Sequence, residues 1–195
     1  ISSSDVDSSA YAIFIANDIT FDNVNITAST GKANNTRNEV IRSEAGSIYI
    51  RNSTVYAESP DNETVLYSRG IMAGNGLEGI SITIENSTVT AIAGNARSDS
   101  TAIESNDVNI KNSFVIADGQ HYSIGVYDGV DFTDSLIHLT VRQDNADESS
   151  VFGNYTLSSD YTVGEDETMY VEENNALTIG EGKALINQGK IVNKG

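Results

Sequence analysis

The chain is 195 residues long and 38% hydrophobic, with 28 acidic against 11 basic side chains, a formal net charge of −17 and no cysteine. That content supports one sizeable core, unlike a disordered polymer; it disfavours nucleic acid, whose phosphates need clustered Lys and Arg, and it removes disulfides, zinc-thiolate sites and thiol nucleophiles. No apolar run approaches the ~18 residues of a membrane span and no charged-then-apolar leader opens the sequence at Ile1, so a soluble mature chain or excised fragment is expected.

In chain order the sequence is a succession of short apolar runs. "AIFIAND" from Ala12 precedes "ITFDNVNITA" from Ile19; "VIRSEAG" from Val40 precedes "IYIRNSTVYA" from Ile48; "GIMAGNG" from Gly70 precedes "ITIENSTVTA" from Ile82. "TAIESND" from Thr101 then leads into "VNIKNSFVIA" from Val108, and "SIGVYDG" from Ser123 into a drifted "VDFTDSLIHL" from Val130. The second member of each pair shares one grammar: apolar, x, apolar, x, Asn or Asp, usually Ser, x, apolar, x, apolar. Period-2 alternation rich in β-branched residues excludes a helical repeat, and each unit reads as three short strands separated by turns. These repeats are assigned to residues 1–150. Residues 151–195 have another rhythm, with Val163, Val171, Leu177, Ile179, Leu185 and Ile191 spaced among Gly, Asn and acidic residues. They are expected to form narrower coils that continue or cap the first part.

The unit recurs every 22 to 34 residues, measured between Asn23, Asn52, Asn86, Asn112 and Asp134. Stacked units would hydrogen-bond strand to equivalent strand at ~4.8 Å. A short amide tolerates the left-handed backbone of a sharp corner, and amides in register can pair along the stack. Those five residues are therefore expected to form a structural ladder, with Ile48, Ile50, Val55, Ile82, Ile84, Val89, Val108, Ile110 and Val115 in buried columns.

From roughly Ala12 to Leu139 this pattern resembles the right-handed parallel β-helix, or pectin-lyase-like solenoid, in which an Asn ladder at one corner recurs. The resemblance implies an all-β solenoid with three short strands per coil. It leaves function open, because that fold carries polysaccharide lyases, glycoside hydrolases, phage tail spikes and non-catalytic adhesins. The terminal "LTIGEGKALINQGKIVNKG" from Leu177 looks like a run common in bacterial cell-surface solenoid proteins, which implies an extracellular or cell-surface location in bacteria.

Function has to come from side chains. The Asn-Thr-Asp, Asp-Asp, Gly-His-Gly and Arg-Ile-Lys signatures of the hydrolytic members are absent. In "YDGVDFTDS", Asp128, Asp131 and Asp134 take a turn, an outward and a corner position, so they are not expected to converge. His121 and His138 show neither triad nor metal-ligand spacing. The Gly-rich "GIMAGNGLEGI" lacks a phosphate-loop Lys and reads as a turn-rich loop. Acidic groups at Asp144, Asp147 and Glu148, and at Glu165, Asp166 and Glu167, could offer oxygen ligands to calcium, although charge runs usually form solvated faces. No other cofactor is expected.

Tyr49 and Tyr56 alternate with inward Ile48, Ile50, Val55 and Ala57, so both rings should face solvent on flat strands, where a ring can stack on a sugar. Tyr67, Tyr122 and Tyr127 lie in the variable connections, where scaffold proteins place recognition. Tyr49, Tyr56 and Tyr127 are taken as candidate glycan contacts; the competing reading is that exposed Tyr merely suits a strand. The outward series Thr20, Tyr49, Thr83, Asn109, Asp131 is no Thr column of the ice-binding kind. The expectation is a monomeric, non-catalytic surface or secreted module, adhesin-like, that contacts glycans or a host or cell-surface protein, or acts as a rigid spacer. The alternative is a polysaccharide lyase or hydrolase of the same fold.

Overall fold

The computed structural model describes residues 1–2, 9–34, 36–74, 76–141, 148–152, 154–157, 159–171, 173 and 175–194. Among them the protein is all strand, with no helix, and so has no helix long and apolar enough to cross a membrane. The first three repeats give β1 (Ser9–Ile15), β2 (Ile19–Asp22) and β3 (Asn25–Ser29); β4 (Arg37–Ser43), β5 (Ile48–Arg51) and β6 (Thr54–Glu58); then β7 (Tyr67–Ala73), β8 (Ser81–Glu85) and β9 (Thr88–Ile92). The next two give β10 (Asp99–Lys111) and β11 (Phe114–Gly119), then β12 (Tyr122–Thr133) and β13 (Leu136–Val141). The remainder comprises β14 (Glu148–Phe152), β15 (Tyr155–Leu157), β16 (Tyr161–Val163), β17 (Glu167–Val171), β18 (Leu177–Ile179), β19 (Leu185–Asn187) and β20 (Lys190–Asn193).

Through the first three repeats each strand pairs in parallel with the strand three places along: β1 with β4 and β4 with β7, β2 with β5 and β5 with β8, β3 with β6 and β6 with β9. That is an arrangement consistent with a parallel β-solenoid. The long β10 pairs β7 through Asp99–Glu104 and β8 through Asp107–Lys111, so the sheet path β1-β4-β7-β10-β8-β5-β2 doubles back into a nearly closed, barrel-like sheet. The expected turn between the first two strands is lost here. "ESNDV" carries the chain round the bend as continuous strand, with a register shift between Ser105 and Asp107 in place of a turn.

Register converts the repeat into columns. Ile19, Ile48, Ile82, Val108 and Val130 align, as do Ile13, Ile41, Ile71, Ile103 and Ile124. Ile48, Ile50, Val55, Ile82, Ile84, Val89, Val108, Ile110 and Val115 all belong to the one large buried cluster. Val130 is exposed because β12 pairs only with β10 and nothing follows it in that ladder.

The second large sheet, β20-β17-β14-β13-β11-β9-β6-β3, is buried on two sides near its middle, and β15-β18 and β16-β19 form two small parallel pairs. Val115, Ala117 and Ile137 face the large core, while their neighbours Phe114 and Leu136 pack with Leu157, Val163 and Met169 in a second cluster. Adjacent residues of one strand point to opposite faces, so Leu157, Val163 and Met169 lie against the outer face of β11 and β13. The β14 strand joins β13 antiparallel, the one such pairing among the described strands, a reversal that a uniform stack of parallel coils did not foresee.

The corner has two layers. Asn23, Asn52, Asn86, Asn112 and Asp134 all adopt left-handed backbone, with φ between 45° and 57°. Asn112 Nδ2 donates to Asn86 Oδ1 at 2.8 Å and Asn86 Nδ2 to Asn52 Oδ1 at 3.4 Å, whereas Asn52 Nδ2 donates to Asp22 Oδ1 at 3.1 Å. This amide row is exposed to solvent. Beneath it runs a buried serine row: the backbone N–H of Ser53, Ser87 and Ser113 each donates to the hydroxyl of the next serine, Ser87, Ser113 and Ser135, at 3.1 Å. Each hydroxyl in turn donates to the carbonyl two residues back, as Ser87 does to Glu85 at 2.7 Å.

The two rows should separate in mutagenesis. Ser87→Ala strands the buried Ser53 N–H and is expected to cost about 1–3 kcal/mol. Asn86→Ala should cost about 1–2 kcal/mol through its left-handed backbone, which Asn86→Gly relieves. Urea denaturation of the three variants checks this; a neutral Ser87→Ala would remove the serine row from the account.

Candidate functional site

The segments that gave least signal in the sequence hold the densest chemistry. In "RNEVIRS", "SRGIM" and "STAIES", Val40 with Ile41, and Ala102 with Ile103, are buried side by side, so charged residues flank an inward pair. Register then places Glu39 beside Arg69, Arg42 beside Met72, and Met72 beside Glu104. Complementary charges thereby meet across β4, β7 and β10.

The resulting network is nearly dry. Arg42 Nη1 donates to Glu39 Oε2 at 2.7 Å and contacts Met72 Sδ at 3.3 Å. Arg69 Nε donates to Glu104 Oε2, and Arg69 Nη2 to Asp99 Oδ2 at 2.8 Å. The Arg69 side chain is only 8% exposed. Burial pulls its pKa down, but the carboxylates of Glu104, Asp99 and Glu39 outweigh that and leave it above the ordinary value. Tyr67 lies under two guanidinium groups, Arg69 Cζ at 4.8 Å and Arg37 Cζ at 5.6 Å from the ring centroid. The planar fork of Arg suits this double duty of carboxylate pairing and ring stacking better than Lys would.

Two adjoining cavities open on the network. The first, about 350 Å³, is lined by Arg37, Glu39, Tyr67, Arg69, Asp99 and Tyr127 among others; the second, about 400 Å³, by Asp99, Thr101, Glu104, Tyr122, Gly125 and Tyr127 among others. Tyr122 and Tyr127 stand at the rim, 58% and 63% exposed. Tyr127 Oη donates to Glu104 Oε1 at 3.3 Å, and the negative charge of Glu104 raises the phenol pKa above its usual value, with burial and the hydrogen bond adding to it. Gly125 keeps the second cavity open, since a Cβ there would come within 3.0 Å of Thr101 Cγ2.

Of the three tyrosines expected to contact glycan, only Tyr127 lies here. Tyr49 registers with Thr20 and Thr83, and Tyr56 with Thr27 and Thr90, on two other ladders. The Tyr49 ring is covered by Arg51 Cζ at 5.2 Å, and Tyr56 Oη donates to Glu58 at 2.8 Å. The structure therefore does not bring the three together. Asp131 registers with Asn109, Asp128 accepts from Asn106 Nδ2 at 3.3 Å, and Asp134 stays at the corner.

Of the calcium candidates, Asp144 and Asp147 lie outside the described residues and Glu148 opens β14. Glu167 turns inward, accepting from Tyr161 Oη at 2.6 Å and from the Gly164 N–H at 3.0 Å, away from exposed Glu165 and Asp166. Among the described residues no group of three or more His, Asp and Glu could hold a metal ion. His121 Nδ1 accepts from the Ser100 N–H at 3.1 Å. His138 has Tyr161 Oη at 3.1 Å and Glu167 Oε1 at 3.4 Å. Its neighbours arrive with the segment that crosses the outer face of β13, which spacing in the sequence could not reveal.

The chain matches no family model, no curated protein and no solved structure. The charged residues of the groove went unrecognised because their pairing depends on register within the variable connections; the available signal was Arg or Glu inside three otherwise apolar runs.

Glu104→Gln keeps the shape of the side chain but removes one of the three carboxylate charges that act on Arg69. It is expected to cost about 3 kcal/mol in urea denaturation, as breaking one side of a buried ion pair does, and to return the Tyr127 phenol toward its ordinary titration range in ultraviolet absorbance. A stability change below about 0.5 kcal/mol would mark the pair as solvent-screened.

Proposed function

We propose that the chain is a right-handed parallel β-helix with three strands per coil that serves as a non-catalytic, glycan-contacting module of a bacterial surface or secreted protein. The parallel pairing of β1 with β4 across β2 and β3 supports the right-handed reading, since such crossovers are almost always right-handed. The location rests on the resemblance of the terminal run from Leu177 to those of bacterial surface solenoids.

The observation that carries the glycan reading is the double groove: two exposed tyrosine rings, a fixed row of hydrogen-bonding carboxylates and guanidinium groups, and a floor of rigid strands. Rings that stack on sugar faces, with charged groups already oriented to bond hydroxyls, are what saccharide recognition requires. Strands hold such groups more firmly than loops.

The enzymatic alternative is less well supported. A glycosidase needs two carboxyl groups facing each other across the scissile bond with freedom to give and take protons. Here Glu39 is occupied by Arg42, and both Asp99 and Glu104 by Arg69. A spacer role would make no use of the groove.

A glycan array with the purified chain, followed by titration of the best ligand, tests the reading. Binding is expected to be weak, to fall about tenfold in Tyr127→Ala and to remain within twofold in Tyr49→Ala and Tyr56→Ala, with no cleavage of pectate or other polysaccharides with or without calcium. Turnover, or binding indifferent to Tyr127, would overturn it.

A further inference from the structure

The two cavities differ in chemistry although they share Asp99, Glu104 and Tyr127. The first contains Arg37 and Arg69, and the second has no Lys or Arg in its lining. In the second, Asp99 and Glu104 contribute two negative charges, and Arg69, reaching them from the first cavity, neutralises one. Tyr122 and Tyr127 line the same cavity as these carboxylates, as does Gly125, which adds no side chain.

Resting on the saccharide reading, we propose that this second cavity is a subsite for a protonated amine, so that the groove selects glycans rich in free hexosamine over their N-acetylated forms. A primary ammonium would gain charge-assisted hydrogen bonds from Asp99 and Glu104 and a cation–π contact from the exposed rings. The acetamide of an N-acetyl sugar is larger, carries no charge and leaves the carboxylates without that partner.

Two further features point to a ligand spanning both cavities. Arg69 Nη1 is buried and has no hydrogen-bond partner among the described residues, although it belongs to a side chain that lines the first cavity. A small shift of the guanidinium toward the first cavity would present that N–H to a sugar hydroxyl or ring oxygen while the amine occupies the second. The raised pKa of the Tyr127 phenol also reports negative potential at the rim despite the nearby guanidinium of Arg69. The formal charge of −17 enriches cations around the whole chain, so the test must separate the subsite from that general attraction.

Isothermal titration at physiological ionic strength and mildly acidic pH, with a glucosamine hexamer and an N-acetylglucosamine hexamer as probes, does so. The glucosamine hexamer is expected to bind at least tenfold more tightly, and that advantage should be lost in Tyr122→Ala, which removes a rim ring, and in Gly125→Val, which fills the cavity. Neither variant changes a charge, and circular dichroism confirms that each remains folded. Tight binding that survives both variants would be general attraction to an acidic surface and would overturn the subsite. Equal affinity for the two hexamers, still dependent on Tyr127, would overturn the amine preference and leave the saccharide reading standing. Binding of neither hexamer would overturn the subsite, while glycan-array binding of another sugar would keep the saccharide reading alive.

Discussion

Parallel, in-register strand pairing is the constraint on which the rest of this structure depends. Once Ile48 is hydrogen-bonded beside Ile82 and Ile82 beside Val108, every side chain in a repeat must coexist with its equivalent at a separation of ~4.8 Å. Apolar side chains profit from that proximity and form the columns of the core. Like charges in such a column would repel. Charged residues are therefore tolerated in the interior where an opposite sign is at hand, within the strand as Glu39 is for Arg42 or from the next repeat as Glu104 is for Arg69.

The same constraint explains the corners. A left-handed residue in each repeat puts the bends above one another, and the serine that follows turns a repeated backbone defect into a repeated hydrogen bond. Energetically the buried serine row matters more than the amide row, because water can replace an exposed amide's partner but cannot reach a buried N–H. The polar interior of the first ladder is costlier. A dry network of arginine and carboxylate contributes less stability than apolar packing would, and it lies beside two open cavities.

How much of this was legible in the sequence depended on whether the signal was local. Alternation around Ile82 and Ile84, and the Asn at each break, identified strands and corners because both are set by adjacent residues. The serine after Asn52, Asn86 and Asn112 was visible as a recurrent letter, but its role needed the corner geometry. The groove was hidden for a different reason. Arg42 and Glu104 sit in connections of unequal length, and only a known register shows that both adjoin Met72. The packing of Phe114 and Leu136 with Met169 likewise joins residues far apart in the chain, which local alternation does not show. Tyr49, Tyr56 and Tyr127 shared a chemistry that sequence could recognise, but not the ladder on which each would fall.

Register itself is the claim to test most directly, and a chain without cysteine is suited to it. In a Tyr49→Cys/Thr83→Cys variant the two positions are direct partners across β5 and β8, within the ~4.4–6.8 Å range of Cα separations that a disulfide spans. Rapid closure under mild oxidation, read by mass spectrometry, is the result expected, with the offset pair Tyr49→Cys/Glu85→Cys remaining open. Preferential closure of the offset pair would contradict the register, and with it the columns, the buried network and the groove built on them.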